Sequence, residues 1–208
     1  MAGARPKLRR SVALPTPHTR GTMSLEEALQ RRRSARKYAS GGLSLAELGQ
    51  LLWAAQGVTG RGGGRTAPSA GALYPLEVCA VVGEVTRLEA GVYRYVPREH
   101  RLEPLAAGDQ RPALAAAALR QRWFDKAPVV FAFAAVYERT TGKYQERGVR
   151  YAHFEVGHAV QNLLLEATAL GLGGVVIGAF EDEAVREVLG LPAAAELLEL
   201  VPVGRPRK

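Results

Sequence analysis

Cysteine is almost absent: the 208 residues include only Cys79, so neither an intramolecular disulfide nor a cysteine-only metal site can form. Long apolar runs are absent as well. Pro128 to Val136 falls far short of the ~18 apolar residues that a membrane-spanning helix needs. The start carries Arg5, Lys7, Arg9 and Arg10 with no apolar stretch behind them, which predicts no secretory signal and a soluble, cytoplasmic protein. Acidic residues are scarce at this end, where Glu26 and Glu27 stand against ten Lys and Arg in residues 1–37. Residues 38–208 hold 18 of each sign, so the net charge of +8 sits in the first 37 residues. What remains is an ordinary globular composition, 47% hydrophobic and 23% charged, which excludes wholesale disorder. The length suits one domain of roughly 150–200 residues with an appendage.

The basic cluster admits two readings. Such clusters bind polynucleotide phosphates electrostatically, yet no groove-reading motif, zinc finger or RNP-like aromatic pattern follows. Arg31 to Lys37 also falls within a segment patterned as folded, which suits a small phosphate ligand better than nucleic acid.

Residues 1–23, with Pro6, Pro15, Pro17 and no period, read as a flexible or wrapping basic arm before a domain over 24–208. Ser24-Leu25-Glu26-Glu27 is a capping box that predicts a helix to about Arg32. Ser44-Leu45-Ala46-Glu47 is a second, whose helix aligns Leu48, Leu51, Leu52 and Ala55 and stops at Gly57. A Gly- and Arg-rich loop follows over 58–67. Strands are predicted at 76–82, 128–136, 174–179 and 197–203, with a hairpin at 91–105 turning near Arg98-Glu99-His100. Further helices are predicted at 110–121, 149–170 and 182–189. The long one aligns Val156, Ala159, Val160, Leu163, Leu164 and Ala167 and ends at Gly171. The sum is an α+β fold, a central mixed sheet packed by long helices.

Several motifs fail on context. Ala67 to Gly71 is one residue short of a G-x-S-x-G elbow, and a glycine-rich loop rather than a strand precedes Ser69. Gly171-Leu172-Gly173-Gly174 follows a helix and enters a strand, the reverse of a dinucleotide fingerprint. Thr140-Thr141-Gly142-Lys143 lacks the upstream glycine of a phosphate-binding loop. His153 and His158 sit about 140° apart around a helix and would not converge on one metal, so no metal site is expected.

Three segments carry chemistry better. Arg32, Ser34 and Arg36 alternate, so an extended chain would turn two guanidinium forks and a hydroxyl to one side. A solvated charge run at a helix end is the other reading. Arg65 to Glu77 is rich in small residues that let backbone approach a flat ligand closely, between the fixed turns of Pro68 and Pro75. Gly174 to Phe180 offers similar access at a strand end, where a backbone N–H could meet a ring acceptor. Arg205 and Arg207 either add positive charge or form a basic tail.

In this order and spacing the segments resemble the FMN-dependent nitroreductase family, from about Leu25 to Arg205. The resemblance implies an FMN cofactor whose phosphate is held by Arg32, Arg33, Ser34 and Arg36, with Arg205 adding charge. It implies that Pro68, Ser69, Ala70, Gly71 and Tyr74 line the isoalloxazine from a partner subunit of an intertwined homodimer. Ile177, Gly178 and Ala179 would present a backbone N–H, that of Ala179, to the flavin N5. Within the family the wording is similar to the SagB-type dehydrogenases, which oxidise azolines to azoles on ribosomal peptides. That likeness rests on Ser69 to Glu77 and on Gly157-His158-Ala159-Val160-Gln161-Asn162. Many nitroreductases instead place Asn near Ala72 and Gln near Tyr74. The likeness extends to Lys143-Tyr144, a pair implicated in proton abstraction, consistent with a desolvated lysine acting as a base. A solvated lysine and a packing tyrosine at the start of the long helix form the alternative. The implied activity is two-electron ping-pong transfer from NAD(P)H to a small organic acceptor. One alternative is azoline oxidation with O₂ as acceptor; another is a non-catalytic flavin- or nucleic-acid-binding protein acting through its arm.

Overall fold

Both capping boxes start helices where the spacing predicts them. A computed structural model describes residues 10–60, 62–119, 124 and 126–207. The arm expected over 1–23 and the helix expected over 110–121 therefore extend partly outside the described residues. Helix α1 spans Leu25–Arg31, with the Glu27 N–H donating to the Ser24 hydroxyl. Helix α2 spans Leu45–Gln56, and its box is complete: Ser44 and Glu47 satisfy each other's backbone N–H groups. It ends at Gly57, whose backbone turns extended at ψ 149°, and only glycine fits because a Cβ there would stand 2.2 Å from the Trp53 ring.

Among the described residues, seven strands form one sheet in the order β1-β4-β3-β2-β5-β7-β6. They are β1 (Val12–Ala13), β2 (Leu76–Val82), β3 (Gly91–Val96), β4 (Arg101–Ala107), β5 (Val129–Val136), β6 (Gly173–Gly174) and β7 (Ala195–Gly204). Every pairing between these strands is antiparallel, a correction to the mixed sheet expected. The reason lies in the connections. Strands β2, β3 and β4 form a meander, and the helical excursions before β5 and β7 return each strand against its neighbour's direction.

Period-two alternation divides the core into two layers. Val78, Ala80, Phe131 and Phe133 join Leu48, Leu51 and Leu52 of α2 and Val156, Ala159 and Leu163 of α5 (Arg147–Ala169). Cys79, Val81, Val130 and Ala132 face the other way, onto Leu114 of α3 (Arg111–Ala117) and Val185 and Leu189 of α6 (Asp182–Leu189). The central strands are thus apolar on both faces, and β5 is a continuous hydrophobic run for that reason.

Two elements differ from expectation. A separate helix α4 (Glu138–Tyr144) precedes α5, so Lys143 and Tyr144 end one helix instead of starting the long one. Gln145, in the left-handed region at φ 54°, breaks the chain between them. Gly148 lets the two helices touch, since a Cβ there would lie 2.7 Å from the Thr140 and Thr141 backbone. The strand expected at 174–179 shrinks to Gly173–Gly174, and Ile177 separately exchanges two backbone hydrogen bonds of 2.9 Å with Leu200. This is the sheet edge, where the Gly174 carbonyl accepts from the Ala35 N–H at 3.0 Å.

Residues 10–23 lie along the domain. Strand β1 pairs with β4, Leu14 is buried, and the Gln50 side chain holds both the N–H and the carbonyl of His18. No described helix is long and apolar enough to cross a membrane.

Candidate functional site

The segment after α1 is pinned between two strands of backbone. Ala35 bonds to Gly174, while Arg207 N–H donates to the Lys37 carbonyl and Ala39 N–H to that of Arg205. Tyr38 anchors it from beneath: its hydroxyl contacts the Ala35 and Pro202 carbonyls, and burial raises its pKa well above the ordinary value. Gly173 permits the close approach, since a Cβ there would sit 2.9 Å from that of Ala35. Above this frame opens a cavity of about 410 Å³, lined among others by Arg31, Arg33, Ser34, Arg36, Lys37 and Arg207. Arg31 is paired with Glu27 at 2.6 Å, leaving the remaining cations facing a hydroxyl and no cavity-lining carboxylate among the described residues. Such a wall is built for an oxyanion.

The predicted clamp is shifted within the segment. Arg32 caps α1, half-buried, and does not line the cavity; Arg33 does. Arg205 is turned to Glu47 at 2.8 Å, and Arg207 takes the place on the cavity wall. Burial alone would raise the Glu47 pKa, but hydrogen bonds from Ser44 together with Arg205 outweigh it and hold the carboxyl low.

The loop 65–74 forms a second assembly. Gly71 lies in the left-handed region at φ 61°, and so do Ala72 at 54° and Tyr74 at 48°. A non-glycine residue there costs about 1–2 kcal/mol, so the loop persists only because its surroundings over-determine it. The surroundings are specific. Tyr74 N–H donates to Ser69 Oγ at 2.9 Å, Arg65 N–H donates to the Tyr74 hydroxyl at 3.2 Å, and the Arg65 guanidinium lies 4.3 Å over the Tyr74 ring. Lys143 and Tyr144 meet this loop at Gly71: a Cβ there would be 2.8 Å from the Tyr144 hydroxyl and 3.1 Å from Lys143 Nζ. Lys143 is exposed in the single chain and Tyr144 half-buried against Tyr151.

The nitroreductase family model matches residues 29–205, spanning the cationic segment, the strained loop and α4. The chain belongs to the nitroreductase family. A Methanocaldococcus jannaschii protein named as a nitroreductase, MJ1384, is 48% identical over 183 residues, covering 88% of this chain and 91% of that one. A solved Ralstonia eutropha structure, also named as a nitroreductase, superposes with a TM-score of 0.85 at 30% identity, over 99% of this chain and 96% of the other. The Escherichia coli microcin B17-processing protein McbC is 32% identical over 132 residues, 61% of this chain and 48% of McbC. The chain is therefore an oxidoreductase, against the non-catalytic alternative, and its α+β fold is that of the family.

The single chain keeps the family's segments apart. Neither residues 68–74 nor 177–179 line the 410 Å³ cavity. Ile177 is buried and tied to Leu200, whereas Gly178 and Ala179 are exposed beyond it. His153 contacts the Tyr137 hydroxyl at 2.7 Å, and His158 is exposed.

A buried polar group that belongs to none of the sequence motifs stands behind the loop. Glu155 on α5 is 2% exposed; it accepts from Gln56 Nε2 at 3.3 Å, and the Ser69 hydroxyl lowers its pKa. Gln56 in turn accepts from Arg65 at 2.9 Å. Burial raises the Glu155 pKa, opposed by these hydrogen bonds and by Arg65. A signal for it existed: Glu155 falls three residues after Ala152 and four before Ala159, a carboxylate within the apolar stripe of α5.

Proposed function

We propose that this protein is an FMN-dependent oxidoreductase acting as a homodimer with two sites at the subunit interface. The observation that carries the reading is the cationic cavity at Ser34, whose hydroxyl and cations, with no cavity-lining carboxylate among the described residues, fit a phosphate dianion. Arg33, Ser34, Arg36, Lys37 and Arg207 would hold that phosphate, with Arg32 completing the segment. FMN, when bound, supplies two-electron hydride chemistry at N5, with NAD(P)H as donor and a small organic molecule as acceptor in ping-pong turnover. Ile177, Gly178 and Ala179 would set a backbone N–H beside the ring, oriented by the bonds to Leu200. Pro68, Ser69, Ala70, Gly71 and Tyr74 would come from the partner copy to cover the ring and exclude water.

A second reading, azoline oxidation with O₂ as acceptor, is favoured by the meeting of Lys143 and Tyr144 at Gly71 and by the likeness to McbC. Lys143 would then take the proton lost from the azoline ring as the partner copy and substrate cover it.

The test is the absorbance spectrum of purified protein before and after heat release of bound ligand. Flavin bands near ~450 nm with FMN in the supernatant are expected. Protein that is colourless and takes up no added FMN defeats the reading. On the loaded enzyme, NAD(P)H-driven reduction is then compared with O₂-dependent oxidation of azoline peptides. A Lys143→Ala variant that keeps both its flavin and azoline oxidation removes Lys143 from that chemistry.

A further inference from the structure

We propose that Glu155 is a positioning residue that, acting through Ser69 and Gln56, holds the 65–74 loop in its ring-covering shape before any cofactor arrives. The inference rests on the flavoenzyme reading above only for what the loop covers; the lock itself stands on this chain's own contacts.

The loop combines two features that seldom coexist without a purpose. Gly71, Ala72 and Tyr74 all lie at positive φ, although only one of them is glycine. Pro68, Gly71 and Ala72 are exposed, so no apolar packing at the loop tip holds that shape. What holds it lies behind, on α5. The Ser69 hydroxyl accepts from Tyr74 N–H at 2.9 Å, and its interaction with the Glu155 carboxyl lowers the pKa of that group. From the other side Gln56 Nε2 donates to Glu155, and Gln56 Oε1 accepts from Arg65, whose guanidinium lies over Tyr74. The loop is thus fastened to one buried carboxylate at both ends, through Arg65 and through Ser69. Asn162, two turns further along α5, adds a bond to the Thr66 carbonyl at 3.2 Å.

The chemistry of the lock sets its specificity. A carboxylate accepts from both sides at once, so every donor in the chain points inward to Glu155. A glutamine in its place must turn an NH₂ toward one of these donors and breaks the chain there. The Ser69 hydroxyl, which holds Tyr74 N–H at 2.9 Å, then acts on the cofactor by placing the loop backbone.

The test uses the full-length protein with Glu155→Gln, Ser69→Ala and the double variant. Three quantities are measured: thermal melting, trypsin cleavage after Arg65 followed by mass spectrometry in FMN-stripped protein, and FMN affinity by fluorescence quenching. Glu155→Gln is expected to melt within a few degrees of wild type. Cleavage after Arg65 should be faster, and the FMN dissociation constant should rise roughly tenfold, the equivalent of one charge-assisted hydrogen bond. Ser69→Ala should do the same, and the double variant should be no worse than either single one, because both break one chain of contacts. If Glu155→Gln folds poorly, Ser69→Ala carries the same two readouts with a smaller change. Unchanged cleavage and affinity in well-folded variants, or losses that add in the double variant, overturn the proposal. A wild-type protein that binds no FMN sinks the flavoenzyme reading alone, since the cleavage comparison still decides the lock.

Discussion

At the scale of single residues, two acids of this protein work in opposite directions. Glu199 on β7 has a buried Oε2 that finds no hydrogen-bond partner among the described residues, and burial raises its pKa. A raised carboxyl pKa means that the fold prefers the protonated form. Its stabilising contribution is therefore complete below the ordinary value near 4.5 and lost as pH rises through the raised value. Asp109 runs the other way: hydrogen bonds from Arg111 hold it low, so its contribution is lost as pH falls. Glu199→Gln keeps the shape and removes the charge. It should raise stability by about 1 kcal/mol at pH 8, with the gain vanishing toward pH 4. Urea unfolding of both proteins at each pH cancels the common contribution of Asp109, and an equal midpoint at pH 8 would count against the assignment. Cys79 shows the same burial in a thiol: fully enclosed, its pKa is pushed up to about 12, which makes it a core residue and not a nucleophile.

At the scale of elements, what was legible followed from local rules. Ser44 and Glu47 announce α2 because a capping box is a contract between residues three apart. The helix over 182–189 and the strand over 76–82 likewise end where their periods end. Helix α4 was not legible, because Glu138–Tyr144 has no apolar stripe and is held by packing on the start of α5. That packing delivers Lys143 and Tyr144 to Gly71. Gly71→Ala tests the delivery. The new methyl meets only the far ends of two side chains, and the left-handed backbone adds about 1 kcal/mol, so melting should fall by roughly 2–4 °C. Turnover should fall further than FMN affinity as Lys143 and Tyr144 are pushed aside. A variant with wild-type turnover would show that neither side chain needs its place at Gly71.

For the whole molecule, the division of the site sets the expectation. One chain presents the cationic cavity on one set of residues and the strained loop on another. Helix α5 leaves Phe154 55% exposed, and Gly157, one turn further on, has open space where a side chain would stand. If two copies meet across α5, light scattering should give twice the 22.3 kDa of one chain. Gly157→Glu should then yield monomers that lose FMN while keeping their fold by circular dichroism. A monomer that retains its flavin would show that one chain suffices.

By itself the sequence determined the class of each strongly periodic element, the two helix starts, the place of excess positive charge and the family. These depend on neighbours within a few residues, which spacing and composition report directly. Only the tertiary structure decided that Arg207 and not Arg205 lines the cavity, that the sheet is antiparallel throughout its strands, and that Glu155 stands behind Ser69. Those facts join residues tens of positions apart, and which side chains meet across such a gap depends on the packing of α2, α4 and α5 against the sheet and one another.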